Sequence, residues 1–222
     1  MRFQDREHAG RLLAARLEGL RSERPIVLGL ARGGIPVAFE VARLLGAPLE
    51  MVVVRKVGAP GRSDYTVGAI AEGGETFVNP ILLQEAGLPE ETAARIAEEE
   101  VAELTRRVRL YRSGRPSLHL ADRTVLVVDD GVATGASARA AGRAVRQRKA
   151  SRVAFAAPVI PATAEAGLKI DFDEVIALEV PARLAAIGDW YERFAEVSDD
   201  DVLGYLRRAE AELTAGLVAG LA

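Results

Sequence analysis

The stretch VLVVDDGVATGAS, residues 125–137, decides the fold. It opens with four consecutive apolar residues, and such a run suits a strand that is covered on both faces. Two adjacent carboxylates, Asp129 and Asp130, follow the strand, and a loop of small residues, Gly131–Gly135, leads into a helix near Ala136. Ligands bind at such turns, on the carboxyl edge of a parallel sheet. The segment therefore predicts an α/β fold with a ligand site at this turn.

The rest of the chain repeats this alternation of strand and helix. Short apolar runs that suit buried strands occupy residues 26–30, 51–54, 153–157 and 175–178. Segments with helical periodicity lie at residues 5–20, 35–46, 90–112, 135–148 and 161–168. A capping-box pattern, Ser198 with Asp201, precedes a final helix. We expect a doubly wound, mainly parallel central sheet with helices on both faces. Since no repeat or linker interrupts the pattern, we expect a single domain over residues 1–222.

Residues 57–77, VGAPGRSDYTVGAIAEGGETF, break the rhythm. They hold five glycines and one proline and show only weak periodicity. A connection of this length is uncommon in a compact domain unless it is a lid or a binding loop. We expect a flexible loop here, and the alternating VGAIA leaves open the alternative of a surface hairpin.

The composition excludes several classes of protein. The 222 residues include 29 basic and 32 acidic side chains, a formal net charge of −3, whereas a nucleic-acid-binding domain is expected to be basic. The absence of cysteine excludes disulfides, zinc–thiolate sites and a cysteine nucleophile, and two histidines are too few for most histidine metal sites. No run of 18 apolar residues occurs and the N-terminus is polar, so we expect a cytoplasmic protein without a membrane span.

The turn after the acidic pair has the chemistry of a phosphate site. Backbone N–H groups of the loop and the N-terminus of the next helix would converge on an anion, and Thr134 and Ser137 add hydroxyl donors. Two carboxylates beside a phosphate would repel it unless the ligand also brings hydroxyls or a metal. A phosphorylated sugar resolves this conflict, because its hydroxyls can bind Asp129 and Asp130. A Walker A loop is excluded because no GK[ST] ends the loop, and GxGxxG is absent.

Four hydrophobic residues, two acidic residues and a Thr/Gly-rich loop resemble the motif with which type I phosphoribosyltransferases bind 5-phosphoribosyl-1-pyrophosphate (PRPP). The resemblance implies the fold of that family, with Asp129 and Asp130 as catalytic residues that hold the ribose hydroxyls. It implies that the 5′-phosphate is bound by the loop residues Gly131, Val132, Ala133, Thr134, Gly135, Ala136 and Ser137. It also implies Mg²⁺ as the cofactor, which keeps several waters and therefore needs few direct protein ligands.

Two further segments fit the same family. The loop ARGG follows the first strand, where similar enzymes bind pyrophosphate, so the resemblance assigns Arg32, Gly33 and Gly34 to that role. Arg55 and Lys56 end the second strand, where a lysine of related enzymes reaches the pyrophosphate and serves catalysis. The alternative for Arg55 is a solvated strand end. The chain has only three lysines, which makes Lys56 more informative than any arginine.

The C-terminal part, largely residues 180–200, resembles the hood of a bacterial subgroup whose members are described as predicted phosphoribosyltransferases. The resemblance implies an acceptor pocket lined by Leu184, Ile187 and Trp190. An aromatic residue is common in the subgroup where Leu184 stands, so for this chain the resemblance does not imply aromatic stacking on a base at this position. For Trp190 and Tyr191, the alternative is that they pack the core of the hood.

The resemblance implies an enzyme that displaces pyrophosphate from C1 of PRPP with a nitrogenous base or a related acceptor. In 6-oxopurine enzymes an aspartate stands where this chain has Ala133, so hypoxanthine and guanine are disfavoured and the acceptor stays open. The alternative is a non-catalytic regulator that binds PRPP or a nucleotide. We interpret the arginine cluster within 106–115 as a solvated helix face, so small molecules rather than nucleic acid or membrane are the expected partners. Related proteins are often homodimers.

Overall fold

The computed structural model describes residues 2–112 and 115–219, without the side chains of residues 62–64 and 217–219. The strands in these ranges are β1 (Ile26–Ala31), β2 (Leu49–Ala59), β3 (Arg62–Ala71), β4 (Thr76–Val78), β5 (Thr124–Val128), β6 (Arg152–Val159) and β7 (Glu174–Glu179). The helices are α1 (Arg6–Arg16), α2 (Gly34–Leu45), α3 (Pro80–Glu85), α4 (Glu90–Arg112), α5 (Ala136–Gln147), α6 (Ala162–Leu168) and α7 (Asp199–Ala219). Short 3-10 helices cover Glu18–Glu23 and Ile187–Trp190. The expected domain also includes residues 1, 113–114 and 220–222, which lie outside the described residues.

The strands form one sheet in the order β4-β3-β2-β1-β5-β6-β7. The neighbouring strands β2, β1, β5, β6 and β7 pair in parallel. Gly29 of β1 lies opposite Met51 of β2 on one side and opposite Val128 of β5 on the other. This arrangement confirms the predicted mainly parallel sheet. It also brings the carboxyl ends of β1, β2 and β5 to the same edge.

Both faces of the parallel strands are covered by helices, which is why their sequences are continuously apolar. One cluster of buried side chains packs α1, α2, α4 and α7 onto the sheet, with Leu13, Phe39 and Leu206 as members. A second cluster packs α5 and α6 onto the opposite face, with Ala140 and Leu168 as members. The prediction of helices on both faces is confirmed, and the sheet edge between the two layers is left to hold a site.

The segment 57–77 forms a hairpin, as the alternating VGAIA allowed, and its flexibility stays a prediction. Strand β2 continues to Ala59, the chain turns at Gly61 with φ of 72°, and β3 returns antiparallel to β2. A Cβ at Gly68 would lie 2.5 Å from the carbonyl oxygen of Phe77, so the pairing of β3 with β4 requires glycine there. The alternation in VGAIA was therefore the informative signal. Residues 62–64 at the start of β3 have side chains outside the described ones.

The hood crosses the carboxyl edge of the sheet between β7 and α7. Phe3, from the N-terminal segment, pairs in parallel with Tyr191 of the hood. The predicted capping box is confirmed, because Ser198 Oγ accepts a hydrogen bond from Asp201 N at 3.1 Å and Ser198 N donates to the Asp201 carboxylate at 2.9 Å. Within the described residues, every helix is too short or too polar to traverse a lipid bilayer.

Candidate functional site

A cleft of about 1370 Å³ lies at the carboxyl edge of the sheet. Its floor is formed by the ends of β1, β2 and β5 and by the loop 129–138 that follows β5. One wall comes from α4, and the other comes from the hood segments 186–188 and 194–197. The topology therefore brings the predicted phosphate loop, the ARGG loop and the end of β2 to a single cavity.

The acidic pair lies at the floor of this cleft. The backbone N–H of Asp129 donates to the carbonyl oxygen of Ala156 at 3.1 Å, which continues the β5–β6 ladder by one residue. The backbone N–H of Asp130 donates to Asp129 Oδ1 at 2.8 Å. Burial, and then the neighbouring Asp130 carboxylate, raise the pKa of Asp129 well above the ordinary aspartate value, while Lys56 opposes the rise. Asp129 is thus a poorly solvated carboxyl group that gains from a cation or a hydroxyl donor nearby.

The loop after the acidic pair has a defined shape. The N–H of Val132 donates to the carbonyl oxygen of Val159 at 2.9 Å, which anchors the start of the loop on β6. Gly135 has φ of 83°, a conformation that glycine adopts readily, and α5 begins at the next residue. Ala133 and Thr134 are exposed and line the cleft. The loop and the first turn of α5 therefore face the cavity as an anion site of the kind found at helix N-termini.

The ARGG loop packs directly against the acidic pair. A Cβ at Gly33 would lie 2.3 Å from Asp130 Oδ2, and a Cβ at Gly34 would lie 2.6 Å from the carbonyl oxygen of Val128. Both glycines are needed for the loop to lie this close to residues 128–130. Gly33 lines the cleft, whereas Gly34 is not among the described lining residues. The Ala31–Arg32 peptide bond is cis.

Two of the three predicted pyrophosphate-binding cations pair with carboxylates at the mouth of the cleft. Arg32 contacts Glu196 of the hood at 2.6 Å and Asp199 at 3.6 Å. Arg55 contacts Glu100 of α4 at 2.7 Å, so it is not the freely solvated strand end of the alternative interpretation. The third cation, Lys56, is exposed and lines the cleft. Among the side chains that the structure describes, no carboxylate lies within ion-pair distance of its ammonium group.

The structure brings only one of the three predicted acceptor-pocket residues to the cleft. Ile187 contributes to the lining, whereas Leu184 and Trp190 are not among the described lining residues. Trp190 instead packs beside Phe3 and Tyr191 in a small cluster between the hood and the N-terminal segment. Its apolar surface is used there, which matches the alternative that it packs the hood core.

Tyr191 is also a packing residue, and it has a second task. Its ring is 2% exposed and lies 5.4 Å from the ring of Phe3. Its hydroxyl donates to the backbone carbonyl oxygen of Asp130 at 2.6 Å. Burial raises the pKa of Tyr191 above the ordinary tyrosine value, so the hydroxyl stays a donor. The hood is thereby fastened to the backbone of the acidic pair.

Helix α1 and residues 194–197 of the hood also contribute to the site, and the sequence did not predict this. Arg6 Nε donates to Asp130 Oδ2 at 2.7 Å, and the Arg6 guanidinium lies 3.8 Å from the centre of the Phe194 ring. Glu196 and Val197 also line the cleft. No motif marks Arg6, because an arginine in the first turn of an amphipathic helix is usually a surface residue. Only the three-dimensional structure brings it next to Asp130.

The donor set for a metal ion consists of the oxygens of Asp129 and Asp130. In the described part of the chain, no group of three or more His, Asp or Glu side chains is arranged to hold a metal ion. Arg6 already occupies one oxygen of Asp130. Such a sparse set of hard oxygen donors fits a Mg²⁺ ion that keeps its waters and binds substrate phosphates, and it does not fit a closed structural metal site.

Comparison with known protein families gives one match over most of the chain. Residues 4–201 match the model of the phosphoribosyl transferase domain. Two Mycobacterium tuberculosis strains each have a protein that is 41% identical over 210 residues, and one of them is named "Putative phosphoribosyl transferase Rv0571c". These residues amount to 95% of this chain and 47% of each relative, so the chain spans about half the length of the curated relatives it matches.

Solved structures give a second line of comparison. The crystal structure of TT1426 from Thermus thermophilus is 47% identical, with a TM-score of 0.78, and the match covers 94% of this chain and 99% of that one. The AQ2163 protein from Aquifex aeolicus is 11% identical, with a TM-score of 0.53, over 84% of this chain and 85% of that one. At this low identity the second similarity concerns the fold alone.

Proposed function

Because the chain belongs to the phosphoribosyl transferase domain family, we propose that it transfers the phosphoribosyl group of PRPP to a nitrogenous acceptor and releases pyrophosphate, with Mg²⁺ as the cofactor. One observation carries the proposal: the acidic pair Asp129–Asp130, the anion loop 131–137 and Lys56 share one cleft at the carboxyl edge of the sheet. PRPP has a matching group for each of them: ribose hydroxyls for the acidic pair, the 5′-phosphate for the loop and pyrophosphate for Lys56.

The 5′-phosphate of PRPP would occupy the loop after the acidic pair. Ala133, Thr134 and Ser137 all line the cleft. Charge-assisted hydrogen bonds contribute about 1.5–3 kcal/mol each, whereas the helix dipole adds about 0.3–1 kcal/mol. The shape of the loop, more than the dipole of α5, would therefore set the affinity for the phosphate.

Asp129 and Asp130 would hold the ribose. Each carboxylate can accept a hydrogen bond from a ribose hydroxyl, and the poor solvation of Asp129 strengthens such a bond. Their charge also favours the positive charge that develops on the ring as the bond at C1 breaks. When Mg²⁺ is bound it would neutralise phosphate oxygens of PRPP, and these two carboxylates are the residues that would hold it.

Arg32, Arg55 and Lys56 would bind the leaving group. The Arg32–Glu196 pair lies at the surface, since the Glu196 side chain is 79% exposed. Exposed pairs of this kind contribute about 0–1 kcal/mol, so pyrophosphate, with several charges, can replace the carboxylate. Lys56, which is exposed in the cleft, can contact pyrophosphate without breaking an ion pair among the described side chains. The hairpin β2–β3 that carries Lys56 would cover the site, and exclusion of water there would suppress hydrolysis.

In the reaction, a nitrogen lone pair of the acceptor would attack C1 of PRPP. The bond from C1 to the pyrophosphate oxygen would break, pyrophosphate would leave with the bonding electrons, and the acceptor nitrogen would lose its proton to solvent or to a nearby carboxylate. Ile187 and Val197 of the hood and Val132 of the phosphate loop give the cleft apolar lining, which favours a heterocyclic acceptor. Ala133 offers no carboxylate to a purine, so 6-oxopurines are disfavoured as acceptors.

A regulator that binds PRPP or a nucleotide without catalysis is the second candidate, because such a protein would use the same phosphate loop. The arginines of α4 do not favour an RNA-binding regulator. Arg106 and Arg107 pair with Glu103 at 2.6 and 2.8 Å. Arg112 pairs with Glu72 at 2.6 Å and also with Glu50, so it holds α4 to the sheet and is not part of a solvated face.

A screen of acceptors separates the two candidates. The protein is incubated with Mg·PRPP and single nucleobases, and released pyrophosphate is measured. Release that depends on one acceptor supports the transferase, and the variant Lys56→Ala should then slow it. Tight PRPP binding without release, for any acceptor, would instead support the regulator. Failure to bind PRPP would contradict the transferase, and failure to bind both PRPP and nucleotides would contradict the regulator as well.

A further inference from the structure

We propose that Arg6 is a positioning residue that orients the Asp130 carboxylate for PRPP. The inference rests on the proposed function and assigns a role in it to the N-terminal segment. The Arg6 and Asp130 side chains are only 11% and 10% exposed, and their contact of 2.7 Å is therefore sheltered from solvent. Sheltered charge-assisted bonds are stronger than the surface pairs at the mouth of the cleft.

The Arg6 guanidinium is fixed by the hood as well as by the carboxylate. Its Nη1 donates to the carbonyl oxygen of Ala195 at 2.6 Å, and its plane lies over the Phe194 ring. Three contacts on three sides leave the guanidinium one orientation. It holds Oδ2 of Asp130, so Oδ1 is the oxygen left to accept a ribose hydroxyl.

The backbone of Arg6 is also fixed, because the preceding residues are bound to the hood. Phe3 N donates to Trp190 O at 2.8 Å, and Glu192 N donates back to Phe3 O at 2.8 Å. Asp5 caps α1 by accepting from His8 N at 2.8 Å. The first turn of α1 is therefore a rigid base for a side chain that reaches into the cleft.

The contact with Arg6 matters for the proposed reaction, because the Asp130 carboxylate would lie next to the anionic PRPP. Without Arg6, the carboxylate would lose its only ion-pair partner among the described residues, would be free to rotate, and would face PRPP with its full charge. Arg6 therefore both restricts the Asp130 side chain and offsets its charge. An effect transmitted in this way must vanish when Asp130 is altered, and this separates it from direct contact between Arg6 and PRPP.

A double-mutant cycle on PRPP binding tests this role. The dissociation constant of Mg·PRPP is measured by calorimetry for the unaltered protein, Arg6→Gln, Asp130→Asn and the double variant, together with thermal unfolding of each. Loss of a charge-assisted bond corresponds to a weakening of about tenfold or more for Arg6→Gln. The double variant should bind Mg·PRPP no more weakly than Asp130→Asn alone, since both substitutions act through the Asp130 carboxylate. Arg6→Lys, which keeps the charge, should recover part of the affinity and replaces Arg6→Gln if that variant does not fold.

The matched control is Arg193→Gln, which removes an arginine from the same N-terminal contact with the hood. Arg193 is 71% exposed and pairs with Asp5 outside the cleft, so affinity should stay within about twofold. If Arg6→Gln weakens Mg·PRPP binding by the same factor in the unaltered protein and in Asp130→Asn, Arg6 contacts PRPP directly. That result would overturn the inference. Unchanged affinity in Arg6→Gln, or an equal loss in Arg193→Gln, would overturn it too. If the unaltered protein does not bind PRPP, the proposed function itself fails, which is a separate result.

Discussion

Replacement of Gly33 by alanine should disturb the site through a single contact. Gly33 has φ of −59° and ψ of −34°, a conformation that alanine adopts equally well. The added Cβ would lie 2.3 Å from Asp130 Oδ2 and 2.9 Å from its Cγ. Because the backbone gains no strain, the whole effect comes from the methyl group pushing on the carboxylate that Arg6 holds.

The magnitude follows from that overlap. A carbon and an oxygen normally approach to about 3.3 Å, so the carboxylate must retreat by about 1 Å. Overpacking of this kind costs about 1–3 kcal/mol, which lowers the melting temperature of a protein of this size by about 2–12 °C. Misplacement of a catalytic group by about 1 Å can cost about a hundredfold in rate. We therefore expect moderate destabilisation and a much larger loss of turnover.

Thermal unfolding and acceptor-dependent release of pyrophosphate are measured on Gly33→Ala and on a control, Gly204→Ala. Gly204 lies inside α7 with nothing within 4 Å of its would-be Cβ, so alanine should stabilise that helix by about 0.5–1 kcal/mol. The control should keep its turnover. If Gly33→Ala has the stability and turnover of the unaltered protein, the contact between the ARGG loop and Asp130 is not as close as described, and the reasoning fails.

Three further outcomes are expected. Asp129→Asn combined with Asp130→Asn should abolish transfer and weaken Mg·PRPP binding in calorimetry; unchanged affinity would count against the acidic pair as the ribose site. Lys56→Ala should lower turnover more than it lowers PRPP affinity, since the lysine is assigned to the leaving group, and an unaltered rate would remove that assignment. The raised pKa of Asp129 means that the folded protein loses stability as pH rises above the ordinary aspartate pKa of about 4, so Asp129→Asn should gain in melting temperature relative to the unaltered protein as pH rises from that value. A difference that stays constant as pH rises would refute the raised pKa.

The parallel strands could be predicted because a strand that is buried on both faces needs a continuous apolar run. The runs VLVV and MVVV are typical of such strands. The acidic pair was informative for the opposite reason, since carboxylates at the end of a buried strand are costly without a ligand. Helix α3 was overlooked because it has only six residues, although Asn79 caps it and Pro80 occupies its first turn. Short helices of this kind carry too little periodicity to stand out.

The hood could not be assigned in detail from the sequence. Trp190 and Ile187 stand three residues apart, are both apolar and both pack beside Phe3 and Tyr191, yet only Ile187 also lines the cleft. That choice depends on where Phe3 lies, and Phe3 is far away in the chain. The contact of Arg6 with Asp130 spans 124 residues for the same reason. Such long-range pairs follow from the sheet order and from the path of the hood, which no local pattern encodes.

The central claim is that one turn after β5 binds a phosphorylated sugar. A crystal structure with Mg·PRPP bound tests it most directly. We expect the 5′-phosphate within hydrogen-bond distance of the backbone of residues 131–137, and the ribose hydroxyls on Asp129 and Asp130. A phosphate bound elsewhere, with this loop filled by side chains, would contradict it.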